Sequence, residues 1–346
     1  MLLPYREHTP THGEASEIAG DAALIGRARA GSRLVLRSLA TLRADGESIT
    51  IGENVFFDER ATVHIADGLI PSSVGNDVTV GRYALVHACT LEDGVVIGDA
   101  AAVMDGARVG AYAVIAAGTL VPPRKDLPGG HLYAGNPASP VRSITREETR
   151  QWAAELRGGR SQHPVQGSGL PALVLSEVER ALASGAKPTV DHAYVAPTAV
   201  VVGDVMVHRD AGIFFGCIVA AGDGRIEIGP GTNIQDNSIL ITHRARGDLV
   251  IGSGVTVGHN ARVGSADIGD DALIGMGCEL EDNVMVRPGG CVGARSYVER
   301  GTVVESNWIW AGRPARAFRE VKASEREAFG RFRDIYVGYS SAYRGL

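Results

Sequence analysis

The chain has 346 residues, enough for two domains of ~150 residues each. Its 34 basic and 40 acidic residues leave a net charge of −6, against nucleic acid as the main partner, because a phosphate-binding surface carries a basic excess. No apolar run approaches the ~20 residues that span a bilayer, the first twenty residues lack a signal-peptide core, and the four cysteines form no CxxC pair, so no membrane partner is expected and the cytoplasm is the default location. Glycine is abundant, at 45 residues, and aromatics make up only 5%. That composition suits a thin core crossed by many tight turns.

Beyond a polar N-terminal tail, aliphatic residues recur mostly every six positions. The track runs Leu36, Leu42, Ile51, Phe57, Val63, Val74, Val80, Val86, Leu91, Ile97, Val103, Val109, Ile115 and Val121. Neither the strand period of 2 nor the helix period of 3.6 gives this pattern. Six residues fit one short strand plus a corner, with the aliphatic side chain inside a narrow prism. Three such sides make a coil of eighteen residues, and successive coils hydrogen-bond at the ~4.8 Å spacing of neighbouring strands. An all-β solenoid with terminal helices is expected.

After this track, Thr145, Arg146, Glu147 and Glu148 form a capping-box-like start for a helix to about Arg157. Gly158 to Gly169 reads as linker, and Pro171 to about Ser184 as a short helix with Leu173, Val174, Val178 and Leu182 as its apolar stripe. The six-residue track then returns from Val195 and Val201 to Val298 and Val304, and each irregular step falls 177 residues after its counterpart in the first half. The offset persists in Tyr133-Ala134-Gly135-Asn136-Pro137 against Trp310-Ala311-Gly312-Arg313-Pro314. Shared insertions at one offset indicate tandem duplication. Ser324 and Glu327 are expected to open a last helix carrying Phe329, Phe332, Ile335 and Tyr339 on one side. The expected domains are 1–160 and 185–346, each a β-helix with its C-terminal helix, joined by 161–184.

The stretches IGPGTNIQDN (228–237), VTVGHN (255–260) and IGMGCELED (274–282), with the exits AGNPASPVRSI and AGRPARAFREV, resemble the gamma-class carbonic anhydrase family. The resemblance implies two tandem left-handed parallel β-helix domains, each followed by a C-terminal α-helix, and self-association through trimer-like rings of three prisms. It also implies a metal held by three histidines, two from one prism and one donated by a neighbour. Carried over, His64 and His87 take the paired positions in the first half, where Arg82 replaces the donated histidine. In the second half Ile241 and Gly264 replace the pair and His259 stands at the donated position. Neither half is complete; together they are.

Spacing independently supports the pair. His64 and His87 are 23 residues apart, and a five-residue insertion between them leaves eighteen, one coil. The two rings should therefore stack in adjacent rungs about 5 Å apart, whereas position 82 lies on the previous side of the prism. A third ligand must come from another domain. The competing reading makes these histidines interface and turn residues. Arg43 and Asp45 match the family's interface-bracing Arg-Gly-Asp segment, and Asn233 and Gln235 match polar residues beside the metal-bound water. Turn chemistry is an alternative for Asn233 and Asp236. The family's glutamate after Arg-Gly-Asp is displaced here to Glu47, with Asp58 and Glu59 as further proton-transfer candidates. His243, two residues past a lost ligand, is left open between a substitute ligand, a base and an ordinary loop residue.

Three neutral imidazoles suit zinc, with iron or cobalt possible, and would leave a bound water acidic enough to give hydroxide near neutrality. The leading reading is a carbonic anhydrase-like lyase acting on CO2 or another small electrophile, at a composite site between an N-terminal and a C-terminal domain. Two others compete: a hexapeptide-repeat acyltransferase using acyl-CoA, with His64 or His87 as base, and a non-catalytic assembly subunit of the same family.

Overall fold

The computed structural model describes residues 1–65, 68, 70–159, 170–242 and 247–345. The chain divides into two compact units, Met1–Gly167 and Ser168–Leu346. Each is a parallel β-solenoid whose hydrophobic core is the six-residue track. Every member from Leu36 to Val121 is at most 3% exposed. In the second unit the track is buried from Val207 to Val304, while Val195 and Val201 are only half-buried.

The coils stack in columns of like residues. Val63, Val86, Val103 and Val121 pair in parallel down one face, and Phe57, Val80, Ile97 and Ile115 down another. Strand Thr41–Ile51 runs through a corner unbroken, pairing through Thr41–Arg43 with Thr62–His64 and through Ile49–Ile51 with Ser72–Val74. Two faces of the prism therefore share one sheet and the third stands apart. In the second unit, strand Ile218–Ile228 repeats this arrangement 177 residues on. The duplication also fixes backbone shape: Arg60 and Asn237, equivalent residues, both turn a corner with φ near +60°. Asparagine tolerates that conformation readily; Arg60 instead sets its guanidinium over the Tyr83 ring.

Each solenoid closes with an antiparallel pair, His131–Ala134 on Ser139–Ser143 and Trp308–Gly312 on Ala315–Glu320. Helix α1 (Arg146–Arg157) follows the first closure, with Thr145 and Glu148 exchanging capping-box hydrogen bonds at 3.1 and 2.9 Å. Gly158 ends it. Helix α2 (Leu170–Ala183) precedes the second solenoid and packs on it, so its buried face is Val174, Glu177 and Ala181. Leu182, expected in the apolar stripe, points to solvent at 63% exposure. Most of the expected linker, including His163, lies outside the described residues.

Helix α3 (Ala323–Arg344) starts one residue before Ser324, and the backbone N–H of Lys322 donates to Glu325 at 2.9 Å. The cap therefore sits at Lys322 and Glu325, the equivalents of Thr145 and Glu148, and not at Ser324 and Glu327. The helix outruns α1 by ten residues, and this extension buries Tyr336, Tyr339 and Tyr343. Phe329, Phe332 and Ile335 are half-buried.

Candidate metal centre

In the first unit the insertion falls in sequence between strands Thr62–His64 and Ser72–Val74, and His64 pairs in register with His87. The ring centroids are 5.3 Å apart, and His64 Nδ1 faces His87 Nε2 at 3.3 Å. Both side chains are almost wholly buried. Each outer nitrogen meets a carboxylate: His64 Nε2 lies 3.2 Å from Asp45 Oδ1, and His87 Nδ1 contacts Asp105. Arg43, in register with His64 on the neighbouring strand, pairs with the other oxygen of Asp45, fully buried.

This chain of contacts sets the chemistry at its centre. A neutral imidazole has one N–H. With the protons donated outward to Asp45 and Asp105, both inner nitrogens would present lone pairs 3.3 Å apart, an arrangement that suits a cation between them; with one proton turned inward, the same contact is an N–H···N hydrogen bond. An ion bonded at ~2.0–2.1 Å to two nitrogens with a tetrahedral angle spaces them at ~3.3–3.4 Å. The pair therefore fits a tetrahedral metal. Outward carboxylates that fix ring orientation and tautomer are the usual supports of metal-binding histidines.

Asp105 was not foreseen, although it stands one coil length, eighteen residues, after His87. Glu47 is half-buried on the same strand as Asp45, two residues further on. Arg82 follows strand Thr79–Val80 on the separate third face and pairs with Asp99 at 3.1 Å. Nearby, burial raises the Asp58 carboxyl above its ordinary range, against the pull of a backbone hydrogen bond and of Arg82.

The second unit organises its polar residues around His259. Gln235 bridges two of them: its Nε2 donates to Asn233 Oδ1 at 3.1 Å, and its Oε1 accepts from the His259 backbone N–H at 3.2 Å. Asn233 also donates to Thr256 Oγ1 at 2.9 Å. Asp236 does two jobs, accepting from the Phe215 backbone N–H at 3.0 Å and holding its other oxygen 3.1 Å from His259 Nδ1. The Tyr336 hydroxyl, on α3, lies 3.2 Å from His259 Nε2. Tyr336 was missed because its contact depends on how far α3 runs; the only sequence signal is the spacing of Tyr336, Tyr339 and Tyr343. His243 lies outside the described residues.

At the positions equivalent to His64 and His87 the second unit has Ile241 and Gly264, and the vacated space is refilled. A β-carbon at Gly264 would stand 2.7 Å from Asp282 Oδ1. One at Gly222, the equivalent of Asp45, would strike the Glu177 carboxylate of α2. All four cysteines are buried, and burial pushes the Cys278 and Cys291 thiols up to about 12 and raises Cys89 as well. Such thiols are poor nucleophiles. Among the described residues, no helix is long and apolar enough to cross a membrane.

No family model matches the chain. Gamma carbonic anhydrase 1, mitochondrial, of Arabidopsis thaliana is 39% identical over 146 residues, covering 40% of this chain and 52% of that protein, so the chain spans about half its length. The carbonic anhydrase of Geobacillus kaustophilus is 35% identical over 155 residues, covering 44% of this chain and 84% of the relative. Matches of this extent suit a duplicated chain. A crystal structure of a presumed acetyltransferase from Desulfovibrio desulfuricans G20 covers 99% of this chain and 82% of its own, with a TM-score of 0.60 and 14% identity, a likeness of fold alone. The repeat, the motifs and the extent of the bacterial match lead to one assignment: the chain belongs to the gamma-class carbonic anhydrase family.

Proposed function

We propose that the protein is a metal-dependent lyase that hydrates CO2 or another small electrophile. The observation that carries this reading is the buried His64–His87 pair, with its inner nitrogens 3.3 Å apart and its outer ones on carboxylates. His64 and His87 would hold the ion, with His259 of a C-terminal unit as third ligand. Bound there, a zinc, iron or cobalt ion would act as a Lewis acid that activates water. Arg43 neutralises Asp45 and fixes it against His64. In the second unit the Asp236 carboxylate stands 3.1 Å from His259 Nδ1, and Nε2, within reach of the Tyr336 hydroxyl, would be the ligating atom. Gln235 and Asn233 would orient the reacting water and substrate, and Glu47 or Asp58 would carry the proton away.

The refilled second unit supports one ion per composite site and at most one per chain, within trimer-like rings that bring unlike units together. Metal content of the purified full-length protein, with CO2 hydration followed by stopped flow, tests the reading. Single alanine changes at His64, His87 and His259 should each remove metal and activity, while His131→Ala retains both. Stoichiometric metal in His259→Ala would exclude the composite site.

A further inference from the structure

The sequence offered three candidate ligands and a bracing Arg43–Asp45 pair, but no partner for the second ring of the stacked histidines. Asp105 supplies it, its carboxylate meeting His87 Nδ1 while Asp45 meets His64 Nε2. The two arms differ. Asp45 is wholly buried and shared with Arg43, whereas the Asp105 side chain is 36% exposed. Asp105 can therefore hold His87 without a buried counter-charge. The second unit shows the same residue without its histidine. Asp282, the equivalent of Asp105, accepts from the Ser265 backbone N–H at 3.2 Å and from Arg300 at 3.1 Å, beside Gly264 where the histidine would stand. Where the ring is lost, the carboxylate turns to other donors.

We propose that Asp105 is a positioning residue, which keeps the His87 proton on Nδ1 and so presents the Nε2 lone pair to the metal. This rests on the reading of His64 and His87 as ligands. Removing an outer carboxylate of this kind lowers metal affinity about 10–100-fold. The role also has a consequence in the metal-free protein, where the carboxylate should hold the Nδ1 proton whether or not metal ever binds.

The test uses the full-length chain, labelled with nitrogen-15 histidine, and four variants: Asp105→Ala, Asp105→Asn, Asp105→Glu and Asp282→Ala. In metal-free protein the His87 Nδ1 resonance should be that of a protonated nitrogen in the wild type and lose that character in Asp105→Ala. Zinc affinity, from competition with a chromophoric chelator, should fall about 10–100-fold in Asp105→Ala. It should recover in part in Asp105→Glu and stay unchanged in Asp282→Ala. Should the alanine variant fail to fold, Asp105→Asn keeps the shape with a weaker acceptor and should give a smaller loss of the same kind. Equal zinc affinity in the wild type and Asp105→Ala overturns the proposal and leaves the metal reading standing. A wild type that binds no zinc, with His87 still changing in Asp105→Ala, supports the orienting role and retires the metal reading. No zinc and no change at His87 overturns both.

Discussion

The two units share coil length, insertions and corner geometry, yet they carry different chemistry on the same scaffold. At four equivalent positions the first unit has Arg43, Asp45, His64 and His87, and the second has Ala220, Gly222, Ile241 and Gly264. The loss is not a simple deletion. Asp282 and the Glu177 side chain of α2 have moved into the space, and Glu177 is buried with an ion-pair partner in Arg180. The polar investment of the second unit lies instead around His259, reached by a helix ten residues longer than its counterpart. Duplication thus preserved the core, where substitution is costly, and let the faces diverge.

The largest effect should come from breaking what the units share. Val80 and Val257 are equivalent and both fully buried. Either one changed to Asp places an unpaired charge in a dry prism, a cost of several kcal/mol, and should abolish soluble expression or the cooperative melting of its own unit. A Val257→Asp protein with unchanged melting would refute the register.

Next in size is the ion pair that only the first unit keeps. Arg43→Ala leaves Asp45 buried without its guanidinium and should destabilise the protein by about 3–5 kcal/mol in urea unfolding. Copying the second unit fully, as Arg43→Ala with Asp45→Gly, should cost less than the single change, because no charge is stranded. A double variant weaker than the single would show that packing dominates. Restoring the lost pair should also fail for a defined reason. Gly264→His would push the Asp282 carboxylate off the Ser265 backbone N–H that it now accepts from, and should lower stability by about 0.5–1.5 kcal/mol, with Asp282→Gly changing that cost. Additive effects of the two changes on thermal melting would disprove that coupling.

The smallest effect concerns the helix caps, which the units share again. Backbone hydrogen bonding and a neighbouring arginine hold the Glu148 carboxyl below its ordinary value, and Arg319 with the Lys322 N–H takes Glu325 down to about 2. A depressed carboxyl contributes stability that is present above its unfolded value, near 4.5. That contribution declines as pH falls toward 2. Both carboxyls are half-buried and reached by solvent, so the change is small. Glu148→Gln and Glu325→Gln should each flatten the acid limb of thermal melting slightly, and a steeper limb would contradict the assignment.

The sequence by itself determined the solenoid, its duplication and the stacking of His64 on His87, because a six-residue period with shared insertions admits one set of columns. It also carried the capping position of α1. Composition places the cap of α3 two residues late, since Ser324 is a better capping residue than Lys322, and only the position equivalent to Thr145 reveals the true start. Helix α2 buries the expected Val174 but not Leu182: hydrophobicity favours Leu182, whereas the glycines at 203 and 222 leave a seat that fits Ala181 and Glu177. Tertiary structure alone decided which polar atoms meet. Asp45 on His64, Asp105 on His87 and Tyr336 on His259 each join side chains separated by 18 or more residues. Their pairing depends on rotamer and on where a helix ends, and periodicity constrains neither. Repetition fixes the backbone columns, while the direction of each polar side chain depends on the particular neighbours that surround it.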